Sequence, residues 1–271
     1  MNMKNTFTGC AIMAMAALSL SLGGCKQEPT NEATETNIEL VAGTKKDTAR
    51  VSINIPVYAD ETVMRAIMEQ LVEALDGSYE GDLTDVDSLA RYLLKSNMDE
   101  MAGMHDEDEE TWDEEMEFMT HFERELTVSK VYENDRFVTL NIQYYQYAGG
   151  AHGISTDYGM TFRKSDGRQM GKNILNNLQG DEGWRDMMYQ GLMEYFEVES
   201  EEELSACLFE PELYKLELPG TEPYLTEEGL TFVYQQYEIA AYCYGMPSFT
   251  IPYDKLDKYL NTTGKRLLND K

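Results

Sequence analysis

Basic residues are scarce in this chain. Its 271 residues hold 22 Lys and Arg against 50 Asp and Glu, a formal net charge of −28 at pH 7. A nucleic-acid ligand demands a basic footprint that displaces counterions, and the composition does not supply one. The same deficit argues against docking of the domain itself on anionic lipid heads. A charge of this size suits a cationic partner, or serves solubility alone.

Histidine is rarer still, with only His105, His121 and His152. None stands in H-E-x-x-H, and no paired Cys/His spacing exists, so neither a zinc site nor any other cofactor is expected. The acid run Asp106–Glu110, continued by Asp113, Glu114, Glu115 and Glu117, lacks the D-x-D-x-D-G alternation that wraps one calcium ion, and reads as solvated surface. Catalytic signatures are missing as well. Gly153-Ile154-Ser155-Thr156-Asp157 lacks the closing glycine of a nucleophile elbow, and there is no G-x-G-x-x-G and no P-loop.

Long apolar runs are absent except at the start. Ala11 to Leu22 is apolar, follows Lys4 and runs into Leu22-Gly23-Gly24-Cys25. It is too short to span a bilayer and ends in small residues, as a cleaved lipoprotein signal does. Residues 1–24 are therefore expected to be removed, leaving Cys25 acylated. Losing Lys4 with them takes the charge from −28 to about −29. The acyl chains would be the membrane anchor. With Lys26-Gln27-Glu28 behind it, this signal points to a cell-envelope lipoprotein, in the outer membrane of a Gram-negative bacterium. Of the four cysteines, Cys10 leaves with the signal and Cys25 carries lipid. Cys207 and Cys243 remain, and their spacing is compatible with one disulfide or with two free thiols.

Residues 25–48 are polar and read as a flexible tether. Residues 49–146 read as an N-terminal α+β part and 147–271 as a C-terminal α+β part. Arg50 to Tyr58 alternates as a strand that Pro56 ends or confines to an edge. Asp60 opens a helix through Val63, Ile67, Leu71 and Leu75, closed by Gly77, and Asp85 or Asp87 opens a second to about Met101. Strands at Leu126–Tyr132 and Phe137–Tyr145 flank the turn 133–136, and a third runs from Thr156 to Arg163. A helix follows over 181–198, then a short one over 199–208. Short strands are expected at 216–218, 223–225, 230–234 and 248–251, and a last helix from Asp254 that ends near Gly264. Strand runs alternating with helix pairs make an α+β fold, mostly antiparallel.

One loop stands out. Ala148-Gly149-Gly150-Ala151-His152-Gly153 combines backbone freedom with a histidine. Downstream lie Tyr237, Glu238, Tyr242 and Tyr244, and tyrosine suits carbohydrate or protein recognition. Gly149, Gly150, His152, Tyr237, Glu238, Tyr242 and Tyr244 are the expected ligand-binding residues. No catalytic residue is assigned. The alternatives are an envelope hydrolase pairing His152 with a carboxylate such as Glu238, and a purely structural lipoprotein.

These residues also carry a resemblance. Tyr147-x-Gly149-Gly150-Ala151-His152, Gly229-Leu230-x-Phe232, Tyr237-Glu238-Ile239-Ala240, Gly245 and Ile251-Pro252-Tyr253 resemble the extracytoplasmic domain family shared by the anti-sigma factor RsiV and the peptidoglycan deacetylase PdaC. The likeness covers most of residues 50–262 and is most specific from Tyr147 to Tyr253. Ala241 stands where the family usually has proline. The resemblance implies two sub-domains, the C-terminal one related to a subdomain of the Hsp70 ATPase. It further implies a partner such as lysozyme, a cationic protein, or a peptidoglycan fragment. Neither a sigma-binding segment nor a metal-dependent deacetylase motif accompanies it here.

Overall fold

A computed structural model describes residues 33–108 and 121–269, with the side chains of 105–108 and 269 left aside. The signal segment, Cys25 and most of the acid-rich run lie outside these residues.

Strand β1 (Thr34–Glu35) pairs with β4 (Pro56–Val57). Between them, β2 (Ile38–Gly43) and β3 (Asp47–Asn54) form a hairpin. In β3 the side chains alternate buried and open along its whole length, as the sequence pattern requires of a half-buried strand. It ends before Pro56, which lacks the N–H to continue a ladder. The β2 strand corrects the expected tether. Averaged composition hides the Ile38-Glu39-Leu40-Val41 alternation, which puts Leu40 into the core at 2% exposure.

Helix α1 (Glu61–Leu75) starts where Asp60 accepts hydrogen bonds from the N–H groups of Thr62 and Val63. Helix α2 (Val86–Asp108) starts after Asp85, whose carboxylate takes the Ser88 N–H at 3.1 Å. The two helices carry the chain from β3 back to β5 (Phe122–Glu133), which lies parallel to β3. Strand β6 (Phe137–Ala148) returns through the turn at Asn134, whose side chain accepts from the N–H groups of Arg136 and Phe137. With β7 (Ile154–Arg163) and β8 (Gln169–Met170) the sheet has six strands in the order β2-β3-β5-β6-β7-β8, antiparallel at every step but β3/β5. One face is covered by α1 and α2, where Val63, Met64, Ile67, Met68, Leu71, Leu89 and Leu93 meet Val51, Ile53, Val128, Leu140 and Ile142. Full burial of each such side chain contributes about 1.5–3 kcal/mol.

A second core follows. Helices α3 (Glu182–Phe196) and α4 (Glu201–Cys207) pack with a smaller antiparallel sheet in the order β11-β10-β9. Its strands are β9 (Tyr224–Leu225), β10 (Gly229–Val233) and β11 (Ser248–Pro252). Helices α5 (Tyr253–Leu256) and α6 (Thr262–Asn269) close the chain, and Leu256 and Leu267 enter this core. The result is a mixed α+β protein with predominantly antiparallel sheets.

The two cores interleave along the chain, since Phe137 at the start of β6 packs into the second one. Met160 and Phe162 belong to the first core, while Met170 and Ile174 belong to the second. The Gly-rich loop that marks the boundary in the sequence is a hairpin connection inside the large sheet. The two halves are joined by a buried polar pin: Thr139 and Thr161 share a hydroxyl hydrogen bond of 2.8 Å, and the Leu225 N–H donates to the Thr161 hydroxyl at 2.8 Å. Gln70 on α1 adds a second tie, donating to Gly167 C=O and accepting from the Gln169 N–H.

Candidate functional site

The site is built on the β6–β7 connection and on two turns of the C-terminal half. Gly149 and Gly150 sit at φ 82° and 88°, a region that side chains avoid, which accounts for their pairing at this sharp connection. The Tyr147 hydroxyl donates to Gly150 C=O at 2.9 Å and closes the loop. His152 projects from it, exposed, with Nδ1 2.9 Å from Gly153 C=O.

A clamp brings the partner turn to this loop. The outer edge of β7 at Ser155 and Asp157 meets two glutamine side chains instead of a strand. Ser155 N–H donates to Gln236 Oε1, Asp157 N–H donates to Gln235 Oε1, and Gln235 Nε2 donates back to Asp157 C=O. The turn that follows holds Tyr237 at φ 66°, a left-handed conformation rare for an aromatic residue. Tyr237 is 49% exposed, and its hydroxyl lies 3.4 Å from His152 Nε2. Tyr242 completes the group. Its ring stacks on His152 with centroids 3.9 Å apart and planes 15° apart, and lies 5.9 Å from Tyr237.

Glu238 takes no part in this ridge. Its two oxygens accept from the N–H groups of Gly220 and Gln235, so it braces the turn and ties it to the 217–220 segment. Tyr244 lies on the same short 242–244 turn as Tyr242 but packs on Phe196, while Tyr195 donates to its carbonyl. A hydrogen bond with Cys207 raises the Tyr244 hydroxyl above its ordinary pKa. Cys207 and Cys243 are free thiols, the first half-buried and the second exposed. Tyr145, on β6 beside the loop, is also raised, by burial first and then by the charge of Glu123.

Of the seven expected ligand-binding residues, the structure thus brings Tyr237 and Tyr242 from the C-terminal turns against His152 on the Gly149–Gly150 loop and turns Glu238 and Tyr244 elsewhere. Sequence reasoning missed Gln235 and Gln236, which carry no motif, because their role exists only once β7 has a bare edge to cover. Among the described residues no group of three or more His, Cys, Asp and Glu side chains is placed to hold a metal ion. The ridge offers stacking faces and hydroxyl tips. That chemistry recognises sugar rings and the guanidinium or ammonium groups of a cationic protein.

Comparison with known proteins gives the class first. Residues 43–155 match the family model described as deacetylase PdaC, and residues 185–254 match the one described as Protein of unknown function (DUF3298). The chain thus carries a PdaC-type domain followed by a DUF3298 domain, a pairing consistent with the RsiV/PdaC-like resemblance. The two matches suggest an extracytoplasmic, envelope-associated domain. A DUF3298 family crystal structure from Bacteroides fragilis NCTC 9343 shares the fold with a TM-score of 0.65 and 20% identity, over 87% of this chain and 95% of that one. Another, from Pseudomonas aeruginosa PAO1, gives 0.56 and 15%, over 89% and 97%. No curated protein matches.

Proposed function

We propose that this protein is a lipid-anchored binding protein of the cell envelope that captures a cationic protein of the lysozyme type through the ridge of His152, Tyr237 and Tyr242. The observation that carries this reading is Tyr237. A half-exposed aromatic side chain is held at a positive φ beside a stacked His–Tyr pair, and strain at an exposed position is a mark of recognition. A net charge of −28 favours rapid, salt-sensitive encounter with a basic partner. A cell-wall saccharide would use the same aromatic faces.

Hydrolysis by His152 with Glu238 finds no support in the geometry, because both Glu238 oxygens are engaged by main-chain N–H groups. The test is calorimetric titration of the chain with a C-type lysozyme at low and moderate salt. Binding that weakens with salt, and that Tyr237→Ala lowers by roughly tenfold or more, supports the reading. No heat at either salt overturns it and directs attention to peptidoglycan fragments.

A further inference from the structure

Basic side chains gather at one place in this acidic chain. The turn before β6, the turn after β7 and helix α6 bring Arg136, Arg163, Lys164 and Arg266 around an open cavity of about 520 Å³. Among the described residues, Asp135 is the one acid on its wall, in a chain that holds 50 acids and 22 bases.

The donors of these side chains are not used up. Asp166 takes Nε and Nη2 of Arg163 and leaves Nη1. Lys164 gives Glu133 one of its three N–H donors, at 2.9 Å. Arg266 is exposed and forms no ion pair among the described residues. Guanidinium forks match the oxygens of a phosphate in pairs, and an ammonium adds a point charge.

Position says which phosphate. The aromatic ridge stands at the far end of β6, whose 12 residues span about 36 Å. From the cavity, ion pairs lead back to the first strand: Lys164 to Glu133, Glu133 to Lys130 at 3.2 Å, and Lys130 to Glu35 on β1. Glu35 follows Cys25 by ten residues, a reach of at most about 33–36 Å. An acyl anchor on Cys25 therefore tethers the basic end, not the ridge, to the bilayer. The charge of −28 argues against lipid contact when taken over the whole chain. At physiological salt, however, exposed charges act over only about 8 Å, so acids elsewhere on the body are screened from this cavity.

We propose that the cavity binds the phosphate of an anionic phospholipid headgroup in the membrane that carries the anchor. The inference rests on the proposed acylation of Cys25. Contact at this end turns the ridge away from the bilayer, towards an incoming partner.

The test is NMR titration of the mature chain, residues 25–271, with Cys25→Ser so that no acyl group takes part. The probes are short-chain phosphatidylglycerol, short-chain phosphatidylcholine and inorganic phosphate. Phosphatidylglycerol should bind saturably and shift the signals of residues 134–137 and 163–166. Phosphatidylcholine, whose ammonium offsets its phosphate, should bind at least tenfold more weakly. Arg266→Glu and Arg136→Glu change exposed residues on two different elements, and each should weaken phosphatidylglycerol binding by roughly tenfold. Acylation is read separately, from the mass of the membrane-extracted chain, and the ridge by lysozyme titration, so failure of either is not mistaken for failure here. Inorganic phosphate binding as tightly as phosphatidylglycerol would make this a free-phosphate site and overturn the proposal. Equal affinity for the two lipids, no shift with either, or unchanged binding in both variants would overturn it as well.

Discussion

The side chain of Gln235 pairs with the main chain of Asp157 as a neighbouring strand would, accepting from its N–H at 3.0 Å and donating to its C=O at 2.8 Å. One residue thereby replaces a ladder step on the bare part of β7 and fixes the distance between the two halves of the aromatic ridge. Gln235→Leu keeps the bulk and removes both bonds. The expected cost is about 2 kcal/mol, because two half-buried main-chain groups lose their partners. Urea denaturation measures the cost. Lysozyme titration of the same variant should show weaker binding, since Tyr237 loses its register against His152.

The threonine pin makes a stronger prediction. Thr139 and Thr161 are fully buried, and Thr161 also receives the Leu225 N–H. Thr161→Val is nearly isosteric but leaves one buried N–H and one buried hydroxyl without partners, at about 2–4 kcal/mol. Because the lost bond from Leu225 joins the two sheets, the denaturation curve of this variant should also separate into two transitions. A single transition with an unchanged midpoint would show that the halves are coupled elsewhere.

Tyr237 should trade stability for recognition. Replacing it with glycine relieves a positive φ that disfavours an L-side chain by about 1–2 kcal/mol, and loses contacts with Tyr242 and His152. Tyr237→Gly is expected to unfold at an equal or higher urea concentration than the wild type while binding lysozyme at least tenfold less tightly. Loss of stability without loss of affinity would assign the residue a packing role.

Alkaline pH should unfasten the contact between β7 and β9. Tyr224 is pushed up to about 12, by burial first and then by the charge of Asp157. Its neutral form is therefore favoured in the folded state. The stability it contributes is complete below its ordinary value near 10 and drains away between pH 10 and 12. Partial solvent access limits the effect to about 1–2 kcal/mol. Tyr224→Phe should remove that share of the alkaline slope and change little at pH 7, as stability curves at both ends of the range will show.

The two thiols left open by their spacing can be settled directly. Cys243 is exposed and free, so a thiol reagent should label it in the folded protein without prior reduction, ahead of the half-buried Cys207. Labelling that appears only after a reductant is added would mean a disulfide.

The helices and long hairpins were legible because their signals are local. Asp60 before a four-residue apolar period gives α1, and Asn134 in a polar turn gives the β5–β6 hairpin. What escaped depends on distant partners. Leu216-Glu217-Leu218 alternates like a strand, yet it is irregular, because the Glu217 carbonyl is taken by the Tyr234 hydroxyl at 2.7 Å and not by a ladder. Helix α6 was hidden behind Gly264, which reads as a stop. In the fold Gly264 lies inside the helix, where the chain passes too close to Ile174 for a side chain, and Asn261 caps the start. His152 and the tyrosines could be picked out by type, but which of them meet was decided by Gln235 and Gln236.

The parallel contact of β3 with β5 also sets a timetable. β3 ends at Asn54, and its partner begins only at Phe122. A chain made from its N-terminus at about 5–20 residues per second leaves that side of β3 without a neighbour for roughly 3–14 seconds. During this interval a hairpin bearing Leu40, Val51 and Ile53 is an open template for any other strand. The two intervening helices cover its face early but cannot close its flank, so the youngest chains are the ones most in need of a chaperone.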